Sequence, residues 1–138
     1  MRIVLAPSVL LLLAGCAPSA KTPVAPQEVG FTAREFAFTG PDSIAPGVTR
    51  ITLVNAGTQS HHLILGRVDD GKTVAEVMAA MREQPQAAPP FLSYRGASNM
   101  ILPGDSSSSV NDLPAGHYML ICFVPDPADQ APHAFKGM

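Results

Sequence analysis

The sequence feature that most constrains the fold is a group of sulfur and imidazole side chains near the C-terminal end, Cys122, His133 and Met138. We predict that a strand ends at Cys122, that His133 lies on the following loop, and that Met138 begins the return strand. Donors on one strand-loop-strand corner can converge on a single ion without help from the rest of the chain. The sequence therefore predicts a β-rich fold with a metal site at one of its corners.

A histidine pair earlier in the chain offers the remaining donor, either His61 or His62. Two imidazoles, one thiolate and a weak, long thioether form the ligand set of a type 1 copper site. The sequence thus predicts one copper ion with the ligands His61, Cys122, His133 and Met138. His62 stays open as the alternative to His61 at this point.

The N-terminal segment has the pattern of an export signal. Residues 1–15 begin with a positive charge, continue through an apolar run too short to span a membrane, and end in small residues. Leu13-Ala14-Gly15-Cys16 is similar to the bacterial lipobox, so we predict cleavage before Cys16 and its lipidation. Acyl chains would anchor the protein to a membrane on the periplasmic or extracytoplasmic side. An ordinary signal peptide with a chance cysteine is the alternative.

The chain contains only two cysteines. If Cys16 carries lipid, Cys122 has no partner for an intramolecular disulfide in an oxidising compartment. Metal coordination would bind and shield the thiolate of Cys122. The alternative is a buried and inert cysteine, which is common in protein cores.

Composition indicates one small domain with many turns. The sequence has 138 residues, a formal charge of −2, 14 prolines and 11 glycines. It has no basic run that would favour nucleic-acid binding. We predict an extended proline- and alanine-rich tether over residues 16–30 and a single domain over residues 31–138.

Alternation of apolar and polar residues predicts an all-β, antiparallel Greek-key β-sandwich with one short inserted helix. The predicted strands cover residues 31–38, 49–55, 61–68, 99–102, 106–113 and 117–123. The predicted helix covers residues 73–83 and begins with a capping box of Thr73 and Glu76. Its methionines, Met78 and Met81, recur at helical spacing, so we interpret them as core residues and not as copper ligands.

The last predicted strand places Tyr118, Leu120 and Cys122 on one face, which we expect to point into the core. A copper thiolate needs this protected position because exposure to solvent promotes its oxidation. His117 lies on the opposite face and is interpreted as a surface residue.

Several motifs together resemble the cupredoxin family. The segment from Gly116 to Cys122 is similar to the Gly-x-Tyr-x-x-x-Cys strand of cupredoxins, and the segment from Asn55 to His61 resembles their Asn-x-Gly turn before the first ligand histidine. The spacing from His133 to Met138 also matches the family. From Phe36 to Met138 the chain is similar to bacterial cupredoxin-like lipoproteins that carry the motifs His-His-Leu, Cys-Phe-Val-Pro and Pro-His-x-x-Lys-Gly-Met. Because the family places Asn after its ligand histidine, where this chain has His62, the resemblance favours His61 as the ligand.

The resemblance implies one-electron transfer through copper, with a redox partner protein that the sequence does not identify. Two alternatives remain: a lipoprotein that carries or sequesters copper, and a metal-free cupredoxin-like interaction domain. We do not expect an enzyme. Cys122 and a histidine could form a nucleophile–base pair, but the sequence shows no third group that would orient them.

Overall fold

The computed structural model describes residues 25–138. Residues 1–24 lie outside the described part, and with them lie the predicted signal peptide, Cys16 and the first part of the predicted tether. In chain order the elements are β1 (Gln27–Arg34), β2 (Ala37–Thr39), β3 (Gly47–Asn55), β4 (Ile64–Val68), α1 (Val74–Glu83), β5 (Leu92–Ala97), β6 (Ser106–Leu113), β7 (His117–Ile121) and a 3₁₀ helix (His133–Lys136).

Within the described residues the strands form two sheets, one ordered β2-β1-β3-β6 and the other β5-β4-β7. The predicted all-β sandwich with one helix is confirmed. Neighbouring strands pair antiparallel except β1 and β3, which run parallel with Val29 opposite Ile51. Alternation along a strand is the same for both pairing directions, so the sequence pattern did not reveal this pair.

The side chains of β3 explain how the first sheet contributes to the core. Thr49, Ile51, Leu53 and Asn55 are buried, and the residues between them face outward. This period of two predicts a strand with one buried face. Fully burying one large aliphatic side chain contributes about 1.5–3 kcal/mol. The core between the sheets contains Ala33, Ile51, Leu53, Leu63, Leu65, Ile101, Leu113, Cys122, Val124 and Met138.

Helix α1 covers the outer face of the second sheet. It begins after Thr73, whose side chain accepts a hydrogen bond from the Glu76 amide while the Glu76 carboxylate accepts one from the Thr73 amide. This capping box confirms the predicted start of the helix. Val77 and Met81 are buried in a second cluster with Met119 and Ile121, among others. The methionine stripe is thus core packing, as predicted.

The sequence predicted one strand over residues 31–38, but the structure shows two. The segment divides into β1 and β2, with a turn at Glu35 and Phe36 between them. The apolar positions shift from odd numbers before the turn to even numbers after it, which marks the break in the strand. In addition, β1 already begins at Gln27, before the predicted domain boundary.

The predicted strand at residues 99–102 is wrong, and the strand in this region is β5, at Leu92–Ala97. Ile101 forms only an isolated bridge with His61. Both of its neighbours, Met100 and Leu102, are largely exposed. The apolar alternation there belongs to a loop that buries one side chain. Edge strand β5 has only Leu92 fully buried, so its sequence carries little strand signal.

Candidate metal centre

Three buried side chains converge at one end of the sandwich. The Cys122 Sγ lies 3.9 Å from His61 Nδ1 and 3.6 Å from His133 Nδ1, and the two nitrogens are 3.2 Å apart. All three residues have no solvent exposure. Among the described residues, this thiol and these two imidazole nitrogens form a group that could bind one metal ion.

The spacing of these donors fits a trigonal metal site. With the bond lengths of zinc sites, about 2.0–2.1 Å to nitrogen and about 2.3 Å to sulfur, and angles of about 120°, two nitrogens are about 3.6 Å apart and nitrogen is about 3.8 Å from sulfur. The distances in the structure differ from these values by a few tenths of an ångström. A thiolate with two imidazoles is the equatorial set of a type 1 copper site. The cluster therefore fits a single ion of that type.

The loop from Asn55 to His61 is braced from inside. The buried Asn55 side chain donates hydrogen bonds to the carbonyls of Gln59 (2.7 Å) and Ile101 (3.2 Å) and accepts one from the Gly57 amide (2.9 Å). His61 also exchanges two backbone hydrogen bonds with Ile101. Because these contacts satisfy the loop's buried polar groups, they hold the His61 imidazole at the end of the core.

The loop between Cys122 and His133 folds back on itself. The Ala134 amide donates to the Cys122 carbonyl at 2.7 Å, and the His133 amide donates to the Val124 carbonyl at 2.9 Å. Pro125 and Pro132 form an antiparallel bridge between these two ends. The ten residues between the ligands thus form a hairpin, which brings the thiol and the imidazole together.

Met138 follows the ligand loop, and the return strand predicted to begin there stays a prediction. A 3₁₀ helix from His133 to Lys136 precedes this residue, and the Met138 amide donates to the His133 carbonyl at 3.1 Å. The Cys122 amide donates to the Met138 carbonyl, also at 3.1 Å. Met138 is buried in the same cluster as Cys122. Its backbone and burial therefore place it beside Cys122 and His133.

The structure places His61 in the cluster and turns His62 away from it. The His62 Nε2 accepts a hydrogen bond from the Phe123 amide at 2.8 Å. Burial lowers the pKa of His62, and the neighbouring His133 and His61 lower it further. His62 thus braces the residue that follows Cys122. Adjacent residues in an extended chain point to opposite sides, which explains the difference between the two histidines.

The remote nitrogens of the two cluster imidazoles meet partners that sequence reasoning missed. His61 Nε2 lies 3.4 Å from a carboxylate oxygen of Glu35, and His133 Nε2 lies 2.9 Å from the Gln59 side-chain oxygen. Glu35 precedes His61 by 26 positions and lies in the unpredicted turn between β1 and β2. No motif links the two residues, so only the fold reveals this contact.

Glu35 is held as a carboxylate. Burial alone would raise its pKa, but backbone hydrogen bonds, including those from the Gln59 and Thr58 amides, outweigh that effect. Together with the contact to His61 they lower the pKa of Glu35 to about 2. Hydrogen bonds to the charged form favour ionisation.

The thiol of Cys122 has the opposite tendency. Burial raises its pKa, although hydrogen bonds from the His62 and Val124 amides favour the thiolate. The residue forms no disulfide within the described part of the chain. A bound cation would stabilise the thiolate in this position, since metal ligation deprotonates a coordinating thiol.

An ion-pair cluster closes the outer side of the ligand loop. The Lys136 ammonium group contacts the carboxylates of Asp126 and Asp129. It also lies 5.0 Å from the centre of the Phe36 ring, whose edge packs against the His133 imidazole. These contacts cover His133 and tie the 3₁₀ helix to the loop.

Solved structures with the same fold include auracyanins. The chain is 24% identical to a sodium-dithionite-reduced auracyanin from Roseiflexus castenholzii, with a TM-score of 0.53, over 83% of this chain and 94% of that one. It is 25% identical to auracyanin B, also with a TM-score of 0.53, over 87% and 90% of the two chains. The chain has the cupredoxin fold. The resemblance predicted from the sequence motifs is thereby confirmed.

Auracyanin A from Chloroflexus aurantiacus, described as a "blue" copper protein, is 21% identical, with a TM-score of 0.49, over 78% of this chain and 96% of that one. No protein-family model and no curated protein matches the chain. In the part of this cupredoxin-like chain that the structure describes, no helix has the length and hydrophobicity needed to cross a bilayer.

Proposed function

We propose that the protein is a membrane-anchored electron carrier with one type 1 copper ion. His61 and His133 would supply imidazole nitrogens to the ion, Cys122 a thiolate, and Met138 a weakly bound thioether. The buried convergence of one thiol and two imidazole nitrogens within 3.9 Å supports this proposal most directly. The cupredoxin fold shared with auracyanins supports it at the level of architecture.

Copper bound by these ligands would exchange one electron, because thiolate and thioether favour Cu(I) and imidazoles accommodate both oxidation states. The protein's contribution is to hold the donors in one arrangement. Asn55 braces the His61 loop, and the hairpin from Cys122 to Ala134 fixes the other two donors. Little movement of the ligands would then accompany electron transfer.

Burial of the donors favours an electron carrier over a copper-delivering protein. Cys122, His61 and His133 have no exposed surface, so a chelator or an acceptor protein has no direct access to them. Handing over the metal would require the hairpin or the braced loop to open. We therefore propose a redox partner protein, and not a copper acceptor, as the physiological partner.

The proposed membrane anchor is the lipidated Cys16, which would place the protein on the periplasmic or extracytoplasmic face of a bacterial membrane. The lipobox-like sequence Leu13-Ala14-Gly15-Cys16 supports this. A Cys16→Ser variant should lose palmitate labelling and move from the membrane to the soluble fraction. Membrane retention of the unlabelled variant would contradict the anchor but leave the copper proposal intact.

The copper site is tested by loading the domain from residue 25 onward with Cu(II) and recording its visible spectrum with metal analysis. We expect an intense blue band and one copper per chain, and a Cys122→Ser variant should lose the band. Met138→Leu should change the spectrum and the potential, whereas the exposed Met100→Leu should change neither. A colourless wild-type protein with an alkylatable Cys122 would refute the proposal.

A further inference from the structure

The two imidazoles of the cluster have chemically different partners on their remote nitrogens. His61 Nε2 faces the Glu35 carboxylate at 3.4 Å, and His133 Nε2 faces the neutral side-chain amide of Gln59 at 2.9 Å. Both partners can accept a hydrogen bond from an imidazole N–H. Only Glu35 adds a negative charge, so the two ligands are electrostatically unequal.

Glu35 is positioned by contacts that do not depend on His61. The same carboxylate oxygen accepts hydrogen bonds from the Thr58 and Gln59 amides, each at 2.6 Å. Gly57 leaves the necessary room, because a Cβ at that position would lie 2.5 Å from this oxygen. The side chain is 23% exposed, so solvent screens its charge only in part. The loop amides and Gly57 thus fix the position of this carboxylate beside His61.

Two positively charged side chains belong to this part of the fold, Arg34, whose guanidinium donates to the Ala56 carbonyl at 2.8 Å, and Lys136. Lys136 approaches the cluster through the Phe36 ring, but its ammonium group contacts the carboxylates of Asp126 and Asp129. Among the described residues, the Glu35 carboxylate is the charged group that contacts the His61 imidazole.

We infer that Glu35 is a positioning residue that tunes the proposed copper site through His61. A hydrogen bond from Nε2 to the carboxylate keeps the Nδ1 lone pair directed at Cys122 and His133, and it increases the basicity of the imidazole. A negative charge at this position stabilises the more highly charged oxidised ion and lowers the reduction potential. The inference rests on the proposed function, because it assumes that the cluster binds copper.

The charge of Glu35 can be tested separately from its shape. Glu35→Gln keeps an oxygen acceptor for the loop amides and for His61 but removes the charge. The ratio of Cu(II) to Cu(I) affinity should fall about tenfold, which raises the potential by about 59 mV for a one-electron couple. Glu28→Gln removes the same charge at the start of β1, at the opposite end of the strand, and should leave the potential unchanged.

A potential of Glu35→Gln equal to that of the wild type would overturn the inference, as would an equal rise in Glu28→Gln. Both variants should show the blue band, since neither replaces a proposed ligand. Loss of the band in both, with wild-type thermal unfolding, would also contradict a tuning role.

A second measurement needs no copper. In the metal-free wild type at alkaline pH, nitrogen NMR of the imidazoles should show His61 protonated on Nε2, and Glu35→Ala should show a mixture of tautomers. A wild-type His61 protonated on Nδ1 would refute the inference. If the protein failed to bind copper but showed the Nε2 tautomer, the proposed function would fail while the contact between Glu35 and His61 would stand.

Discussion

The two ends of the sandwich are built differently. At the metal-site end, His61, Cys122 and His133 are fully buried, and loops close over them. At the opposite end the sheets diverge around a cleft of about 620 Å³. Its lining includes Phe31, Ile44, Ile51, Leu65, Leu113, Tyr118 and Leu120. The same strands reach both ends, so the loops decide which end is closed.

Polar contacts account for much of this difference. At the metal-site end, the buried Asn55 side chain makes three hydrogen bonds to loop backbone. At the cleft end, the side-chain hydrogen bonds to loop backbone are exposed: the Tyr118 hydroxyl donates to the Pro114 carbonyl, and the Gln27 side chain donates to the Ala45 carbonyl. Apolar packing holds the sheets together, but directional hydrogen bonds are needed to place donor atoms within tenths of an ångström. The positions of the donor atoms at the metal-site end are therefore fixed by the hydrogen bonds of its loops.

The sharpest test of the closed end compares neighbouring histidines. His61→Gln should abolish the blue band and weaken copper binding by 100-fold or more, because it removes an equatorial ligand. His62→Gln should retain the band, since glutamine can still accept the hydrogen bond from the Phe123 amide. Copper titration and the visible spectrum measure both. A normal band in His61→Gln would show that the ligand is misassigned.

Replacing one leucine by alanine at each end should show how much side-chain packing contributes to stability there. Leu53→Ala removes a fully buried side chain near the metal-site end and should lower the free energy of unfolding by about 2–5 kcal/mol. Leu120→Ala removes a partly buried side chain beside the cleft and should cost about 1 kcal/mol, because part of its surface already faces solvent. Denaturant unfolding measures both. Equal losses would mean that the cleft closes in solution.

Removing a polar contact should likewise lower the free energy of unfolding more at the metal-site end than at the cleft end. Asn55→Ala leaves the Gln59 and Ile101 carbonyls and the Gly57 amide without their partner, and should lower the free energy of unfolding by about 1–3 kcal/mol. Tyr118→Phe removes one exposed hydrogen bond and should cost about 0.5–1 kcal/mol. The comparison fails if Tyr118→Phe is the more destabilised variant.

The smallest expected effect concerns the ion pairs around Lys136. Its hydrogen bonds lower the pKa values of Asp126 and Asp129 below the usual 3.8. A lowered carboxyl pKa stabilises the fold above the unfolded value, and this stabilisation is lost as the pH falls through the folded value. At neutral pH, Lys136→Met should therefore have a lower melting temperature than the wild type. The difference between the two melting temperatures should shrink below pH 3.8.

Arg50→Met provides the control for this last variant. Arg50 contacts Glu28 at 3.1 Å, and both side chains are substantially exposed. Exposed pairs contribute little to stability, so this substitution should change the melting temperature less than Lys136→Met does. A larger effect for Arg50→Met would show that the ligand loop gains nothing from its ion pairs.

Sequence reasoning predicted the features that depend on near neighbours. The capping box of Thr73 and Glu76 and the alternating pattern of β3 are correct, because helix and strand periods act over a few residues. Edge strand β5 and the turn at Glu35 were missed. The residues of β5 alternate weakly, and long-range pairing decides its conformation. At Glu35 the shift of the apolar positions from odd to even numbers was a local signal that the prediction did not use.

The spacing of Cys122 and His133 on one short loop predicted the donor chemistry, and the alternating strands predicted the sandwich. The family resemblance favoured His61 over His62, and the tertiary structure shows His61 facing the cluster. The contacts of Glu35 and Gln59 with the remote nitrogens are visible only in the structure. The physical reason is that these contacts join loops far apart in sequence. Strand register and turn geometry, which no local pattern encodes, bring those loops together.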